Sequence, residues 1–250
     1  IVQAQIQAIF GNWTPSSSPD ARAKGQVNQP DQLPVVTQAT PGGVFFIDQP
    51  QLTQSYVLIG HLGGMSNSPD YPALSVMNNV LNGYGGRLFN ELRSRQGLAY
   101  SVFAYWDAEF DYPGVFIANG QTRSETTVPF IQRLIAELER LRRSRITPQE
   151  LAYAKDSTLN SFVFKFQSPS QTLSRLLRYE YYGYPADFLT RYRRGVEATT
   201  IVDVERVARF YLKPENFVTL VVGNGREIQP PLTVLAPNDR ITQLDITIPD

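Results

Sequence analysis

The sequence predicts an α+β fold, an antiparallel sheet with helices packed on one of its faces. Strand-like runs rich in β-branched and aromatic residues cluster in the first half and return once near the end, while capped amphipathic segments fill the interval between them. The bulk composition agrees: 42% of the 250 residues are hydrophobic and 12% aromatic, enough for a sizeable core.

Taken in order, Val2, Ile6, Ile9 or Phe10, and Trp13 recur at helical spacing, and Gly11 would stop that helix. From 14 to 43 the composition shifts to Pro, Ser, Gln and Asn, as in a linker laid over a surface. Residues 1–13 are therefore expected to end a preceding domain, 14–43 to be the linker, 44–223 the domain proper, and 224–250 an irregular tail with a late strand near 241–248. A start at Ile1 is expected of a fragment cut from a longer or processed chain.

Residues 44–48 and 53–62 are predicted strands separated by the Pro50 turn. Ser68-Pro69-Asp70 opens a helix, with Ser68 as N-cap and Pro69 at the first helical position, and its apolar face is Leu74, Met77, Val80 and Leu81. Gly83-Tyr84-Gly85-Gly86 breaks it, and a short helix over 87–95 ends at Gly97 in the C′ position. Segments 98–110 and 114–119 pair around Tyr112-Pro113. Val128, Ile131, Leu134, Ile135, Leu138 and Leu141 mark one amphipathic helix, and the Thr147-Pro148-Gln149-Glu150 capping box starts another. Helices follow over 168–182 and 186–197, then one capped by Thr200 with Asp203, then a strand over 216–222.

Composition excludes several functions. Lys+Arg and Asp+Glu number 23 each, so no long-range field favours nucleic acid or an anionic membrane. No apolar run approaches the ~20 residues of a transmembrane helix. The absence of Cys excludes disulfides, thiolate zinc sites and a cysteine nucleophile. It suits an extracytoplasmic protein, the compartment slightly favoured, although many cytosolic proteins share it. With His61 the sole histidine, a His₂Glu or His₃ zinc site is excluded by count, and no metal or cofactor is expected in this chain.

Individual motifs read as follows. His61 ends a strand, where it is either a catalytic base or, more plainly, a partly buried ring held by backbone hydrogen bonds; no Gly-x-Ser-x-Gly elbow accompanies it. Gly83–Gly86 lacks the Gly-Lys-Ser/Thr of a phosphate loop, and the third glycine of a dinucleotide fingerprint is Leu88, so a tight turn is the simpler reading. Arg140, Arg142, Arg143 and Arg145 lie at a helix end, where cations complement the dipole. Tyr179, Tyr181, Tyr182 and Tyr184 beside Arg178 read as half core and half interface. In 86–100, Leu88, Phe89 and Leu92 form a buried helical face. Arg93 leaves the helix end and Tyr100 enters the next strand, an arrangement able to aim a guanidinium and a phenol at one carbonyl or its oxyanion.

The segment Gly86-Arg87-Leu88-Phe89 running into Leu92-Arg93 and Gly97-Leu98-Ala99-Tyr100 resembles the C-terminal-half signature of M16 metallopeptidases, the pitrilysin and processing-peptidase family. Phe10-Gly11-Asn12-Trp13, Gln54-Ser55, Asp70-Tyr71 and Thr147-Pro148 with Glu150-Leu151 are similar too, and the resemblance spans 44–223. Gly86 departs from the family's usual Ser, a change expected to alter a cap more than the chemistry. The resemblance implies a LuxS/M16 metallohydrolase-like fold. It also implies two homologous halves, on one chain or two, closing around a chamber, with zinc bound by an inverted His-x-x-Glu-His motif in the partner half. No such motif occurs here. By the same resemblance, Arg93 and Tyr100 reach the carbonyl of a peptide substrate. The alternative is a non-catalytic scaffold or substrate-recognition subunit of an M16-like assembly. A half that exposes its partner face is also expected to self-associate.

Overall fold

The computed structural model describes residues 2–12, 35–38, 42–236 and 241–246. Trp13, most of the expected linker and the last residues of the tail lie outside them. The chain divides into two compact units, Ile1–Val35 and Val36–Asp250. In the first, helix α1 (Val2–Phe10) ends where Gly11 N–H bonds to the Gln7 carbonyl at 2.8 Å.

The second unit is built on one sheet. Its strands among the described residues are β1 (Val44–Asp48), β2 (Gln54–Leu62), β3 (Ser101–Asp107), β4 (Val115–Arg123), β5 (Val218–Gly223) and β6 (Ile241–Gln243), in spatial order β3-β4-β2-β5-β1-β6. Pairing from β3 through β4 and β2 to β5 is antiparallel, as expected. The sheet as a whole is mixed, because β1 runs parallel to both β5 and β6. The short Pro50 connection suggests a hairpin, but β5 returns from the helices and inserts between β1 and β2, matching Val44 to Thr219 and Tyr56 to Val222. Nothing local to residues 44–62 encodes that insertion.

The helices are α2 (Tyr71–Leu81), a π-helix over Phe89–Arg95, α3 (Thr127–Arg143), α4 (Pro148–Val163), α5 (Pro169–Tyr181), α6 (Phe188–Ala198) and α7 (Ile201–Tyr211). Strand alternation assigns one face of the sheet to them. On β2, Ser55, Val57, Ile59 and His61 are buried, and on β3 so are Val102, Ala104 and Trp106. Leu74, Met77 and Leu81 of α2 join Phe130, Ile131, Leu134 and Leu138 of α3 over Phe116, all fully buried in one cluster. The other face stays open. Tyr56, Leu58, Phe103 and Tyr105 are exposed there, beside a shallow hollow of about 350 Å³ lined by Leu62, Ile117, Val218 and Leu220. Gln38 reaches this hollow, where its side chain donates to Asn216 O at 2.7 Å.

Three local details shape this core. Thr147 with Glu150 and Thr200 with Asp203 form the reciprocal capping boxes that the sequence announces. Helix α2, by contrast, begins at Tyr71 with Asp70 as N-cap, two residues later than Ser68 would place it. The Asp70 carboxylate does not cap the helix. It is held by Arg206 at 2.6 and 3.0 Å and by Tyr211 Oη at 3.0 Å, which pull its pKa below the usual carboxylate value. Beyond Gly223, where an irregular tail is expected, Ile228 and Leu232 are buried in the core, and Leu232–Leu235 forms a 3₁₀ turn ahead of β6.

Candidate functional site

The Arg93 region is built from the end of α2 onward. Gly83, at φ +77°, turns the chain, and Gly85 N–H meets Tyr153 Oη at 3.3 Å. Gly86 sits so close to the preceding turn that a Cβ there would lie 2.1 Å from the Asn82 carbonyl oxygen. A Ser at this position therefore requires a different loop path, a larger consequence than the altered cap expected for it. The four-residue stretch is a tight turn onto α2, as its sequence suggests.

Leu88 and Leu92 are fully buried and anchor the next helix. Arg87, also buried, donates from Nε to Glu150 Oε1 at 2.6 Å and from Nη2 to Oε2 at 3.2 Å. Burial raises the Glu150 carboxyl, but the hydrogen bonds from Arg87 and Thr147 outweigh it and leave the pKa below the ordinary value. The expected helix does begin at Arg87, with Arg87 and Leu88 α-helical, and continues over Phe89–Arg95 as a π-helix. Its wide turns close with Gln96 N–H to Glu91 O at 3.2 Å and Leu98 N–H to Leu92 O at 2.8 Å, and Gly97, at φ +61°, reverses the chain as expected of a C′ glycine.

This geometry decides where Arg93 lies. Its Cζ is 4.8 Å from the Phe89 ring centroid and 5.1 Å from that of Tyr100. Tyr84 meets Phe89 edge-on at 5.0 Å. Phe89, read from sequence as part of the buried face, is only half-buried and carries the guanidinium over its ring. A cation over an aromatic ring gains about 0.5–1 kcal/mol at exposed sites. The pair therefore has a defined position without using the guanidinium N–H groups. Glu91, the carboxylate of this helix, is taken by Arg95 at 3.1 Å and Gln96 at 2.6 Å, and Arg93 has no carboxylate partner among the described residues. Tyr100 is 74% exposed, at the bend just before β3. Arg93 and Tyr100 thus stand together with their donors open to solvent. Phe89 and Tyr84 complete the group; a Phe four residues before Arg93 is the sequence signal for the first of them.

His61 is not in this group. Its Nδ1 lies 2.6 Å from Leu62 O and its Nε2 3.3 Å from Lys213 N, so the tautomer with Nδ1–H donating satisfies both contacts. The ring stacks on Phe217 at 5.5 Å and lies 5.3 Å from Phe116. Burial lowers its pKa, only partly opposed by the Leu62 carbonyl. A neutral, doubly bonded ring in the core is a packing residue. Because its folded pKa lies below the unfolded value of about 6.5, the unfolded chain takes up a proton first as pH falls. His61 therefore contributes stability at neutral pH that is lost as pH drops from about 6.5 toward the depressed folded value. Denaturant midpoints of the wild type should fall between pH 7.5 and 5 more steeply than those of His61→Gln; parallel slopes would show that the ring titrates alike in both states.

The other singled-out residues are structural among the described contacts. Arg140 pairs with Glu137 at 2.8 Å, Arg143 with Glu139 at 2.7 Å and Arg145 with Glu205 at 2.9 Å. Tyr179 is buried and Tyr181 exposed, while Tyr184 Oη and Ser66 Oγ share a hydrogen bond of 2.6 Å. No group of three or more His, Asp or Glu among the described residues is placed to hold a metal ion, and no described helix is long and apolar enough to cross a membrane. The described residues do not fit a zinc site.

The site thus consists of an Arg–Tyr pair beside a π-helix on a helix-backed sheet, with no group of metal ligands among the described residues. Comparison with known proteins gives the family. The signature of the peptidase M16 inactive domain matches residues 1–158, and the chain belongs to that family. The match begins ahead of the 44–223 span over which the motifs are recognisable and stops within α4. An uncharacterized zinc protease of Mycobacterium bovis is 32% identical over 141 residues, covering 56% of this chain and 32% of that protein. A Helicobacter pylori protein named as a non-peptidase homolog is 26% identical over 164 residues, covering 63% of this chain and 37% of its own length. The crystal structure of a peptidase M16 inactive domain from Pseudomonas fluorescens superposes with a TM-score of 0.69 at 25% identity, covering 79% of this chain and 48% of that one. The chain spans about a third of the length of the curated relatives it matches.

Proposed function

We propose that this chain is the substrate-binding, zinc-free half of an M16-type metalloendopeptidase and completes the peptide-hydrolysis chamber of a zinc-bearing partner half, on the same polypeptide or a separate subunit. The observation that carries the reading is the Arg93–Tyr100 pair. It is held by aromatic contacts alone, so its donors are free for a substrate carbonyl and the oxyanion that develops from it. The open apolar face of the sheet, with Tyr56, Leu58, Phe103 and Tyr105, supports it as a wall along which a peptide and the partner half are received. Zinc in the partner half supplies the Lewis acid and the activated water; this chain binds and orients the peptide.

The test is peptide hydrolysis with added zinc, comparing the chain alone with the chain assembled with its zinc-bearing half. Activity confined to the assembly and abolished by a chelator is the expected result. Chelator-sensitive activity from the chain alone would overturn the division of labour. The second reading, a scaffold or recognition subunit without catalytic function, is favoured by the naming of the Helicobacter pylori relative as a non-peptidase homolog. Tight assembly with no hydrolysis would select it.

A further inference from the structure

Arg93 is exposed, and no carboxylate among the described residues pairs with it. An arginine in that state has many rotamers of similar energy. A group that is to meet a reacting carbonyl has to be held within about 0.5 Å of its productive place. An ion pair does not supply that order here, and two rings lie within reach of the guanidinium. Tyr100 is largely exposed and stands on a bend. Phe89 is the better held of the two.

Its backbone is anchored by Leu88 just before it and Leu92 three residues on, both fully buried. Its ring meets that of Tyr84 at 5.0 Å with the two planes 76° apart. Tyr84 is largely exposed, yet the turn that carries it has little freedom. Gly83 holds φ at +77°, and a Cβ on Gly85 would come within 2.8 Å of the Tyr153 ring. Tyr153 Oη closes the turn, accepting Gly85 N–H and donating to the Asn82 carbonyl at 3.4 Å. The turn therefore sets Tyr84 against Phe89, and Phe89 offers its ring to a residue four positions later on the same helix, where side chains meet.

We infer that Phe89, braced by Tyr84, is a positioning residue for Arg93: its ring seats the guanidinium in one place and leaves N–H donors for the substrate carbonyl. That the acceptor is a substrate carbonyl rests on the proposed function; the aromatic contacts do not. Phe89 acts only through Arg93 and touches no reacting atom in this role. Leucine is apolar like phenylalanine but has no π face, so Phe89→Leu removes the seat of the cation while keeping an apolar side chain on the helix.

The test is steady-state hydrolysis of one internally quenched decapeptide by the chain assembled with its zinc-bearing half. It is paired with NMR of the Arg93 Nε–H signal in the 250-residue chain. Phe89→Leu should lower kcat about tenfold with KM within about twofold, the scale of a slightly misplaced group. Phe89→Tyr keeps a ring and should stay within about twofold of wild type in both constants. In an Arg93→Ala background, Phe89→Leu should change kcat by less than about twofold, because nothing is left to position. The ring-current shift of the Arg93 signal should vanish in Phe89→Leu and persist in Phe89→Tyr. Wild-type kcat in Phe89→Leu, the same loss in the Arg93→Ala background, or an Arg93 signal that ignores the ring overturns the inference. If Phe89→Leu fails to fold, Phe89→Met, likewise apolar and ringless, decides in its place. Wild-type kcat in Arg93→Ala would instead sink the proposed function, so the two failures give different results.

Discussion

Arg93→Ala should lower kcat of the assembled, zinc-bearing enzyme about 10²–10³-fold, the usual consequence of removing one oxyanion donor. On the proposed function the effect belongs in kcat more than KM, because the guanidinium would then meet charge that develops only in the transition state. Tyr100→Phe should cost less in binding of the guanidinium than in chemistry, since it keeps the ring that lies 5.1 Å from Arg93 Cζ and removes only the hydroxyl. Arg93→Lys should not restore activity. A lysine ammonium keeps the charge but not the planar fork that stacks between Phe89 and Tyr100. None of these three changes touches the core, as Leu88 and Leu92 carry the buried side of this helix. Stability should therefore stay within about 1 kcal/mol, the scale of an exposed cation–π contact. Steady-state kinetics of assembled variants with matched melting curves separates the two effects. Wild-type kcat in Arg93→Ala would remove the catalytic role and leave the pair as surface decoration.

How much of this was legible in the sequence follows the range of the interactions involved. Capping boxes are encoded within four residues, and both Thr147 and Thr200 were readable. The α2 cap was misread because Asp70 is claimed by Arg206 and Tyr211, more than 130 positions away. A preference for Ser-Pro at a helix start cannot register such a competitor. The open and covered sheet faces follow from period-two alternation, whereas the parallel pairing of β1 depends on β5 arriving after the helices. At the site, Arg93 and Tyr100 stand out from the local helix–turn–strand pattern around Gly97, and the resemblance adds the role expected of them. The π-turn that carries Arg93 is not distinguished from an α-turn by any propensity of residues 89–95.

Asn82→Leu is expected to be the most damaging single change outside the fully apolar core. Strand β3 is the edge of the sheet, and an edge strand presents unpaired backbone groups. The Asn82 amide fills the place of a missing neighbour at Ala104. It accepts Ala104 N–H on Oδ1 at 2.8 Å and donates from Nδ2 to the Ala104 carbonyl, with a further bond to Asn78 O at 2.9 Å. Ala104 is only 2% exposed, so water does not substitute. Each buried backbone group left unpaired costs about 1–3 kcal/mol, which places the combined loss of the two near 2–6 kcal/mol. Denaturant unfolding at constant m-value measures it, and a shift below 0.5 kcal/mol would show that the amide only decorates the edge. Light scattering supplies the second readout, since an unblocked edge next to exposed Phe103 and Tyr105 invites pairing between copies of the chain. The same bond bears on function. With Ala104 closed by a side chain, a peptide cannot extend the sheet there as an added strand. On the proposed function, the peptide would reach Arg93 and Tyr100 across the open face, where Phe103 and Tyr105 lie exposed.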